Sequence, residues 1–217
     1  MGRLVSLETH ALLRIDPGGV CADTAVPGWV LERLARTPWV VVRRARPRRG
    51  LVAVGVRGGT RAERFAGWLH PRHVRECLTP QQLAMRRGWR THARRSQVAA
   101  LAVLDEVESI MLRANLATLW GPGGSVGFEL ASGSVTATAV SDVDLIVQLD
   151  APLAVAAAAE LLGQLAQLAA RTDVVLETPR GGLALAEYAR QEGPLLLRTP
   201  DGPRLLDDPW ACAVTRS

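Results

Sequence analysis

Residues 121–125 are Gly-Pro-Gly-Gly-Ser, and residues 141–147 are Ser-Asp-Val-Asp-Leu-Ile-Val. The second segment predicts a buried strand, because its Leu-Ile-Val run is apolar and β-prone. Alternate side chains of a strand share one face, so Asp142 and Asp144 are expected to point the same way while Val143 faces the core. The sequence therefore places two carboxylates side by side at the start of a core strand.

Two like charges at this spacing repel each other unless a cation lies between them. Carboxylate oxygens are the ligands that Mg²⁺ and Mn²⁺ prefer, and a metal ion held by them can neutralise phosphate oxygens. We therefore expect Asp142 and Asp144 to bind Mg²⁺ or Mn²⁺. The alternative is that both carboxylates lie at a solvated strand edge.

The glycine-rich segment before the acidic strand fits the same chemistry. Glycine lets backbone N–H groups approach a phosphate closely, and a serine hydroxyl adds a donor. We expect Gly124, Ser125 and Ser141 to contact phosphate groups. Gly-Gly-Ser also occurs in ordinary surface turns. It indicates a phosphate site here because it lies between a helix predicted over about 96–119 and the acidic strand.

The net charge of +5 hides an uneven distribution. Residues 1–95 contain 19 Arg and 6 acidic residues, whereas residues 96–217 contain 7 Arg and 15 acidic residues. This change predicts a domain boundary near residue 95, with a basic N-terminal domain over 1–95 and a second domain over 96–217. The chain is long enough for two small domains with proper cores.

Two groups of arginines lie in the basic half. Each is compatible with a solvated face, a polyphosphate-binding surface, a surface for an acidic carrier protein or a nucleic-acid-binding patch. The first group is Arg43, Arg44, Arg46, Arg48 and Arg49, and the second is Arg86, Arg87, Arg90, Arg94 and Arg95.

Secondary structure in the basic half is predicted from the apolar pattern. Residues 39–42 and 51–56 are Val-rich and predict two strands. A helix is predicted over 57–69, which would place three arginines on one face at i, i+4 and i+7. That face either contacts phosphate or is solvated. The three residues are Arg57, Arg61 and Arg64.

The second half predicts alternating strands and helices. After the helix over about 96–119, strands are predicted near 127–130 and over 142–149, then a helix over about 153–170 and a strand over 171–177. In the last strand, Asp173 and Glu177 fall on one face. The pattern indicates an α/β protein in which helices cover a mixed sheet.

Composition argues against several other classes of protein. Cys21, Cys77 and Cys212 are scattered, which disfavours a disulfide framework or a zinc site. The first residues contain charges where a secretion signal needs an apolar core. The Ala-rich segment 151–170 contains Glu and Gln and favours a packed helix over a membrane span, so we expect a cytoplasmic protein. One Tyr and two Phe disfavour a nucleic-acid binder built on stacking.

The order helix, Gly-Ser turn, strand and Asp-x-Asp strand resembles the nucleotidyltransferase superfamily that includes DNA polymerase beta. Residues 120–133, Trp-Gly-Pro-Gly-Gly-Ser-Val-Gly-Phe-Glu-Leu-Ala-Ser-Gly, followed by Ser141-Asp-Val-Asp-Leu145, resemble the phosphoribosyl-dephospho-CoA transferases of malonate decarboxylase, which are also called malonate decarboxylase holo-acyl-carrier-protein synthases. Three N-terminal segments are similar to motifs of the same family: Pro38-Trp-Val-Val-Val-Arg-Arg44, residues 54–64 and Leu78-Thr-Pro-Gln-Gln-Leu83.

The resemblance implies a nucleotidyltransferase-like catalytic domain beside a smaller basic N-terminal α/β domain. It implies transfer of the phosphoribosyl-dephospho-CoA group from triphosphoribosyl-dephospho-CoA to a Ser of the malonate decarboxylase acyl carrier protein, with release of diphosphate. It also implies a third catalytic carboxylate, Asp173 with Glu177 as the rival. The arginines at 57, 61 and 64 would then be the phosphate contacts supplied by the N-terminal domain.

Two other functions stay open from the sequence. One is a nucleotidyltransferase that acts on another small molecule or protein, such as the citrate lyase carrier protein. The other is a non-catalytic nucleic-acid-binding protein that uses the basic half. The second predicts steeply salt-dependent binding to DNA or RNA and no role for the Asp pair.

Overall fold

The computed structural model describes residues 7–46, 48–60 and 63–211. Contacts between Cα atoms divide the chain into two units. Unit 1 comprises Met1–Thr79 with Ala131–Ser134, and unit 2 comprises Pro80–Leu130 with Val135–Ser217. Within the described ranges, each unit is built around a six-stranded sheet. Helices and strands are mixed throughout, which confirms the predicted α/β class.

The boundary between the units lies between Thr79 and Pro80, earlier than the change in charge near residue 95. The reason is a buried tryptophan. Trp89 is fully buried in the core of unit 2, where the centroid of its ring lies 6.1 Å from the ring centroid of Trp120. Its Nε1–H also donates to Asp105 at 3.0 Å. Burial, rather than the sign of the surface charge, therefore assigns this arginine-rich segment to unit 2.

Unit 1 is an antiparallel sheet with one α-helix of nine residues in its described part. The elements are β1 (Leu12–Ile15), β2 (Val20–Cys21), α1 (Gly28–Arg36), β3 (Trp39–Val42), β4 (Val52–Arg57), β5 (Arg64–Leu69) and β6 (Val74–Leu78). The strand order in the sheet is β2-β5-β4-β3-β1-β6. The core of the unit includes the fully buried Leu13, Leu34 and Leu69. The predicted strands over 39–42 and 51–56 are confirmed as β3 and β4.

The helix predicted over 57–69 is wrong. β4 and β5 form an antiparallel hairpin in which Arg57 pairs with Arg64. Two consecutive glycines favour a turn over a helix, and the Gly58 N–H donates to the Glu63 carbonyl at 2.8 Å across it. Arg57 and Arg64 are therefore cross-strand neighbours rather than members of a helical stripe. Arg61 lies outside the described residues.

Unit 2 contains a mixed sheet and several helices. The elements are α2 (Pro80–Arg86), α3 (Ala99–Ala102), α4 (Leu104–Arg113), β7 (Trp120–Pro122), α5 (Gly124–Ser132), β8 (Val143–Gln148), α6 (Val155–Leu165), β9 (Thr172–Thr178), β10 (Gly181–Ala184), α7 (Leu185–Arg190), β11 (Leu195–Thr199) and β12 (Gly202–Leu206). The strand order in the sheet is β12-β11-β10-β9-β8-β7. Strands β8 and β9 are parallel, and helix α6 forms the crossover that parallel strands require.

The strands predicted over 142–149 and 171–177 are confirmed as β8 and β9, and the Ala-rich helix as α6. The single helix predicted over about 96–119 is wrong in extent, because the segment forms the shorter helices α3 and α4 and the second ends before Asn115, whose φ is +58°. The strand predicted near 127–130 is wrong, because those residues form the middle of helix α5. Val126 and Leu130, at i and i+4, pack on the core from one side of this helix. Over the described ranges, no helix is long and apolar enough to cross a bilayer.

The second arginine group is largely engaged in ion pairs within unit 2. Carboxylates of α4 accept most of these contacts, and the remaining one goes to α5. The pairs are Arg87 with Glu108 (2.6 Å), Arg90 with Asp105 (2.8 Å) and Glu108 (2.9 Å), Arg95 with Asp105 (2.8 Å), and Arg94 with Glu129 (2.7 Å). These arginines therefore neutralise acidic side chains of their own unit, which accounts for them without a ligand.

This network predicts a dependence of stability on pH. Burial acts to raise the pKa of Asp105, but hydrogen bonds from Trp89, Arg90 and Arg95 outweigh it and lower the pKa to about 2. Because the folded-state pKa lies below the ordinary 3.8, the ionised carboxylate stabilises the fold above about pH 4, and this contribution is lost as the pH falls towards 2. We expect Asp105→Asn to lower the melting temperature at pH 7.

Melting temperatures of Asp105→Asn and wild type should converge between pH 4 and pH 2. Glu106→Gln is the control, because Glu106 is an exposed carboxylate on the same helix. A difference that stays constant across this pH range would show that the Asp105 charge does not stabilise the fold.

Candidate active site

The acidic pair lies at the start of β8. Asp142 directly precedes the strand, Asp144 is its second residue, and the fully buried Val143 separates them. Both carboxylates are half-buried. The Val143 N–H donates to the Arg171 carbonyl at 2.8 Å, which fixes the start of β8 beside the start of β9.

The parallel register distinguishes the two candidates for a third carboxylate. Asp173 pairs with Asp144, whereas Glu177 pairs with Gln148 at the far end of β8. Neighbouring strands are about 4.8 Å apart, and four residues along a strand span about 13 Å. Asp173 therefore lies beside the acidic pair, and the buried Glu177 does not. This geometry favours Asp173, which is half exposed and paired with Arg171 at 3.2 Å.

Helix α5 begins against the carboxylate of Asp144. Gly124 has φ +55°, and a Cβ built on it would overlap the Asp144 carboxylate. The preceding Gly123 donates its N–H to the Asp144 carbonyl at 2.8 Å. Glycine is therefore required here for its conformation and for the close approach. The first turn of a helix presents N–H groups that attract anions, so this arrangement suits a phosphate beside the carboxylates.

The two predicted serines meet next to this helix start. Ser125 Oγ donates to Ser141 Oγ at 3.4 Å, and Ser141 Oγ accepts from the Thr138 N–H at 2.9 Å. Thr136 Oγ1 donates to the Ser125 carbonyl at 2.8 Å. The structure thus brings together Gly124 and both serines in the same part of unit 2 as the acidic pair. Their roles in binding stay a prediction.

The predicted phosphate-contacting arginines belong to unit 1. Arg57 and Arg64 are exposed and face each other across the β4–β5 hairpin. Arg61 falls in the part of the chain that the structure does not describe. Their contact with phosphate also stays a prediction.

The donor set at the acidic pair fits one mode of metal binding. Within the described ranges, no three His, Cys, Asp or Glu side chains are grouped to hold a metal ion by themselves. Mg²⁺ at phosphoryl-transfer sites is usually held by one or two carboxylates, with substrate phosphates and water as the other ligands. Asp142 and Asp144 fit this mode, which uses the substrate to complete the site.

One buried residue near the site was missed by sequence reasoning. Glu129, on α5, is 1% exposed. Burial acts to raise its pKa, but the N–H groups of Thr136 and Ala137 and the guanidinium of Arg94 lower the pKa below the ordinary value. A glutamate between Phe128 and Leu130, within an apolar segment, is the signal that could have revealed it.

Two protein-family models match the chain. The model of the phosphoribosyl-dephospho-CoA transferase MdcG N-terminal domain matches residues 8–80, and that of the MdcG C-terminal domain matches residues 82–209. No solved structure matches the chain.

Curated relatives agree with the family models. A protein named phosphoribosyl-dephospho-CoA transferase from Pseudomonas putida is 43% identical over 188 residues, which cover 87% of this chain and 88% of the relative. Proteins of the same name from Azotobacter vinelandii and Klebsiella pneumoniae (strain 342) are 39% and 34% identical. These matches cover 87% of both the chain and the Azotobacter protein, and 93% of the chain and 95% of the Klebsiella protein.

Proposed function

The chain belongs to the MdcG family of phosphoribosyl-dephospho-CoA transferases, and we propose that it modifies the acyl carrier protein of malonate decarboxylase. In this proposal it transfers the phosphoribosyl-dephospho-CoA group from triphosphoribosyl-dephospho-CoA to a Ser hydroxyl of the carrier and releases diphosphate. One observation carries the proposal. Asp144, Asp173 and Gly124, at the start of α5, lie together at the same end of β8.

The proposed reaction is an in-line phosphoryl transfer. The oxygen of the carrier Ser attacks the α-phosphorus of the triphosphate, and the bond from that phosphorus to the leaving diphosphate breaks. Asp173 accepts the hydroxyl proton, for which its half-exposed position beside Asp144 suits it. The N–H groups at the start of α5 and the hydroxyls of Ser125 and Ser141 hold the leaving phosphates.

Asp142 and Asp144 are the residues that would hold Mg²⁺ or Mn²⁺. The metal ion supplies positive charge against the triphosphate when it is bound. Without a cation, these carboxylates would repel the substrate. The basic N-terminal unit offers further charge, and we assign Arg57, Arg61 and Arg64 to the triphosphate on this ground.

Arginines of the β4–β5 hairpin provide a test of that assignment. We expect Arg57→Ala or Arg64→Ala to weaken binding of the precursor by roughly 1–3 kcal/mol, the usual range for a charge-assisted hydrogen bond. Isothermal titration with triphosphoribosyl-dephospho-CoA measures this affinity directly. Variants that bind as tightly as wild type would remove unit 1 from the phosphate site.

The first arginine group supplies the matched control. Arg43 and Arg48 are engaged within unit 1: Arg43 Nε donates to the Val54 carbonyl at 2.9 Å, and Arg48 pairs with Asp23 at 2.7 Å. Arg49 is exposed. If this group docks an acidic carrier protein, Arg49→Ala slows transfer in a salt-sensitive way and leaves precursor affinity unchanged. Transfer rates at two salt concentrations separate this effect from phosphate binding.

The function itself is tested by incubation with triphosphoribosyl-dephospho-CoA, Mg²⁺ and the apo-carrier protein, with the mass of the carrier as the readout. We expect the mass to rise by one phosphoribosyl-dephospho-CoA group. An unchanged malonate decarboxylase carrier together with a modified citrate lyase carrier would reassign the acceptor. If neither carrier gains mass, the transferase proposal is contradicted.

A further inference from the structure

The carboxylate of Glu129 is buried and fully engaged. Arg94 Nη1 donates to both of its oxygens, at 2.7 and 2.9 Å. The backbone N–H groups of Thr136 and Ala137 each donate to Oε2 at 2.8 Å. A carboxylate with 1% exposure is costly unless it is paired and hydrogen-bonded in this way.

These contacts attach residues 135–142, the unit 2 part of the connection between α5 and β8 and called the α5–β8 loop below, to helix α5. Arg94 Nη2 also donates to the Ala137 carbonyl at 3.0 Å. The ion pair therefore holds the peptide groups on both sides of Ala137. Apolar packing holds this loop only weakly. Its larger apolar residues Val135 and Val140 are exposed, and the buried Ala137 contributes only a methyl group.

The same loop carries two residues of the proposed site. From its attachment at Glu129 the contacts continue through Thr136 Oγ1 to the Ser125 carbonyl, at 2.8 Å. They also continue from the Thr138 N–H to Ser141 Oγ, at 2.9 Å, and Ser141 directly precedes Asp142. Movement of the loop would therefore displace one member of the acidic pair relative to the other, which lies in β8.

We propose that Glu129, held by Arg94, is a positioning residue that fixes the α5–β8 loop so that Ser141 and Asp142 stay in register with Ser125 and Asp144. The inference rests on the proposed transferase function. Such a residue acts on the geometry of the reacting groups, so its loss affects kcat more than KM.

Glu129→Gln removes the charge with little change of shape. An amide NH₂ group in place of one carboxylate oxygen would face either the Arg94 guanidinium or the loop N–H groups, which are all donors. Glu108→Gln is the matched control. Glu108 also accepts from two arginines, Arg87 at 2.6 Å and Arg90 at 2.9 Å, through contacts on α4 that do not involve the loop.

The experiment combines transfer kinetics with amide hydrogen exchange. We expect Glu129→Gln to lower kcat about tenfold or more, to leave KM for triphosphoribosyl-dephospho-CoA within about threefold, and to speed exchange in peptides covering residues 135–142. Glu108→Gln should leave kcat and loop exchange at wild-type values. A folded Glu129→Gln protein with wild-type kcat, or with unchanged loop exchange, overturns the proposal.

A second variant tests the same proposal if Glu129→Gln does not fold. Arg94→Lys keeps a positive charge beside Glu129, but its single ammonium group cannot reproduce the guanidinium contacts to both Glu129 oxygens and to the Ala137 carbonyl. We expect a lower kcat with a wild-type KM and faster exchange in residues 135–142. A folded variant with wild-type kcat and wild-type loop exchange overturns the proposal.

Failure of this proposal and failure of the proposed function can be distinguished. If the wild-type protein has no transfer activity, the proposed function is refuted. Hydrogen exchange needs no substrate, so it still shows whether Glu129 attaches the loop.

Discussion

Asp142→Asn and Asp144→Asn are each expected to reduce the rate of carrier modification by at least about a hundredfold. Each substitution keeps the size of the side chain and removes one of two charges that would hold a metal ion against the triphosphate. The folded state should be as stable as wild type or more stable, because one of two like charges at the start of β8 is lost. Transfer kinetics and thermal unfolding, measured on the same samples, check both parts.

The opposite end of the same strand provides the control. Asp150 is exposed and follows the end of β8, so Asp150→Asn makes the same chemical change away from the acidic pair. We expect this variant to transfer at the wild-type rate. Near-normal transfer by either Asp142→Asn or Asp144→Asn would remove the acidic pair from the reaction, whatever the family of the chain.

The strands of the site could be predicted because they are buried. β8 contains Leu-Ile-Val and β9 contains Val-Val-Leu, and strands that are buried on both faces are rich in such residues. Their register could not be predicted, since it depends on the path of the α6 crossover. That register is what separates Asp173, beside Asp144, from Glu177 at the other end of the sheet.

Two predictions failed because local spacing was considered without tertiary pairing. The arginines at 57 and 64 match a helical spacing, but β4 offers a six-residue partner and the hairpin forms instead. The segment 127–130 contains large apolar residues, but it continues a helix that begins at Gly124. Pairing and packing outweigh local propensity in both cases.

Contacts between residues far apart in the chain were not accessible to sequence reasoning. Arg94 and Glu129 lie 35 positions apart, and no motif joins them. The charge pattern instead grouped Arg94 with its arginine neighbours. In the structure several neighbouring arginines contact acidic side chains of α4 or α5, so the cluster is a network of ion pairs within unit 2.

Gly124→Ala is expected to reduce transfer at least as strongly as loss of one acidic residue, by about a hundredfold or more. A methyl group at this position would overlap the Asp144 carboxylate and the Cβ of the same residue, so either Asp144 or the start of α5 must move. The backbone is also in the left-handed region, at φ +55°, where a side chain costs about 1–2 kcal/mol. The variant should therefore lose both activity and stability.

Gly193→Ala separates the two effects. Gly193 also has a positive φ, +85°, but nothing lies within 4 Å of a Cβ built there. This control should share the loss of stability, seen as a lower melting temperature, and keep the wild-type rate of carrier modification. If Gly124→Ala were as active as Gly193→Ala, the close approach of α5 to Asp144 would have no part in catalysis. Because the overlap is with the carboxylate itself, we expect the two variants to differ in transfer rate far more than in stability.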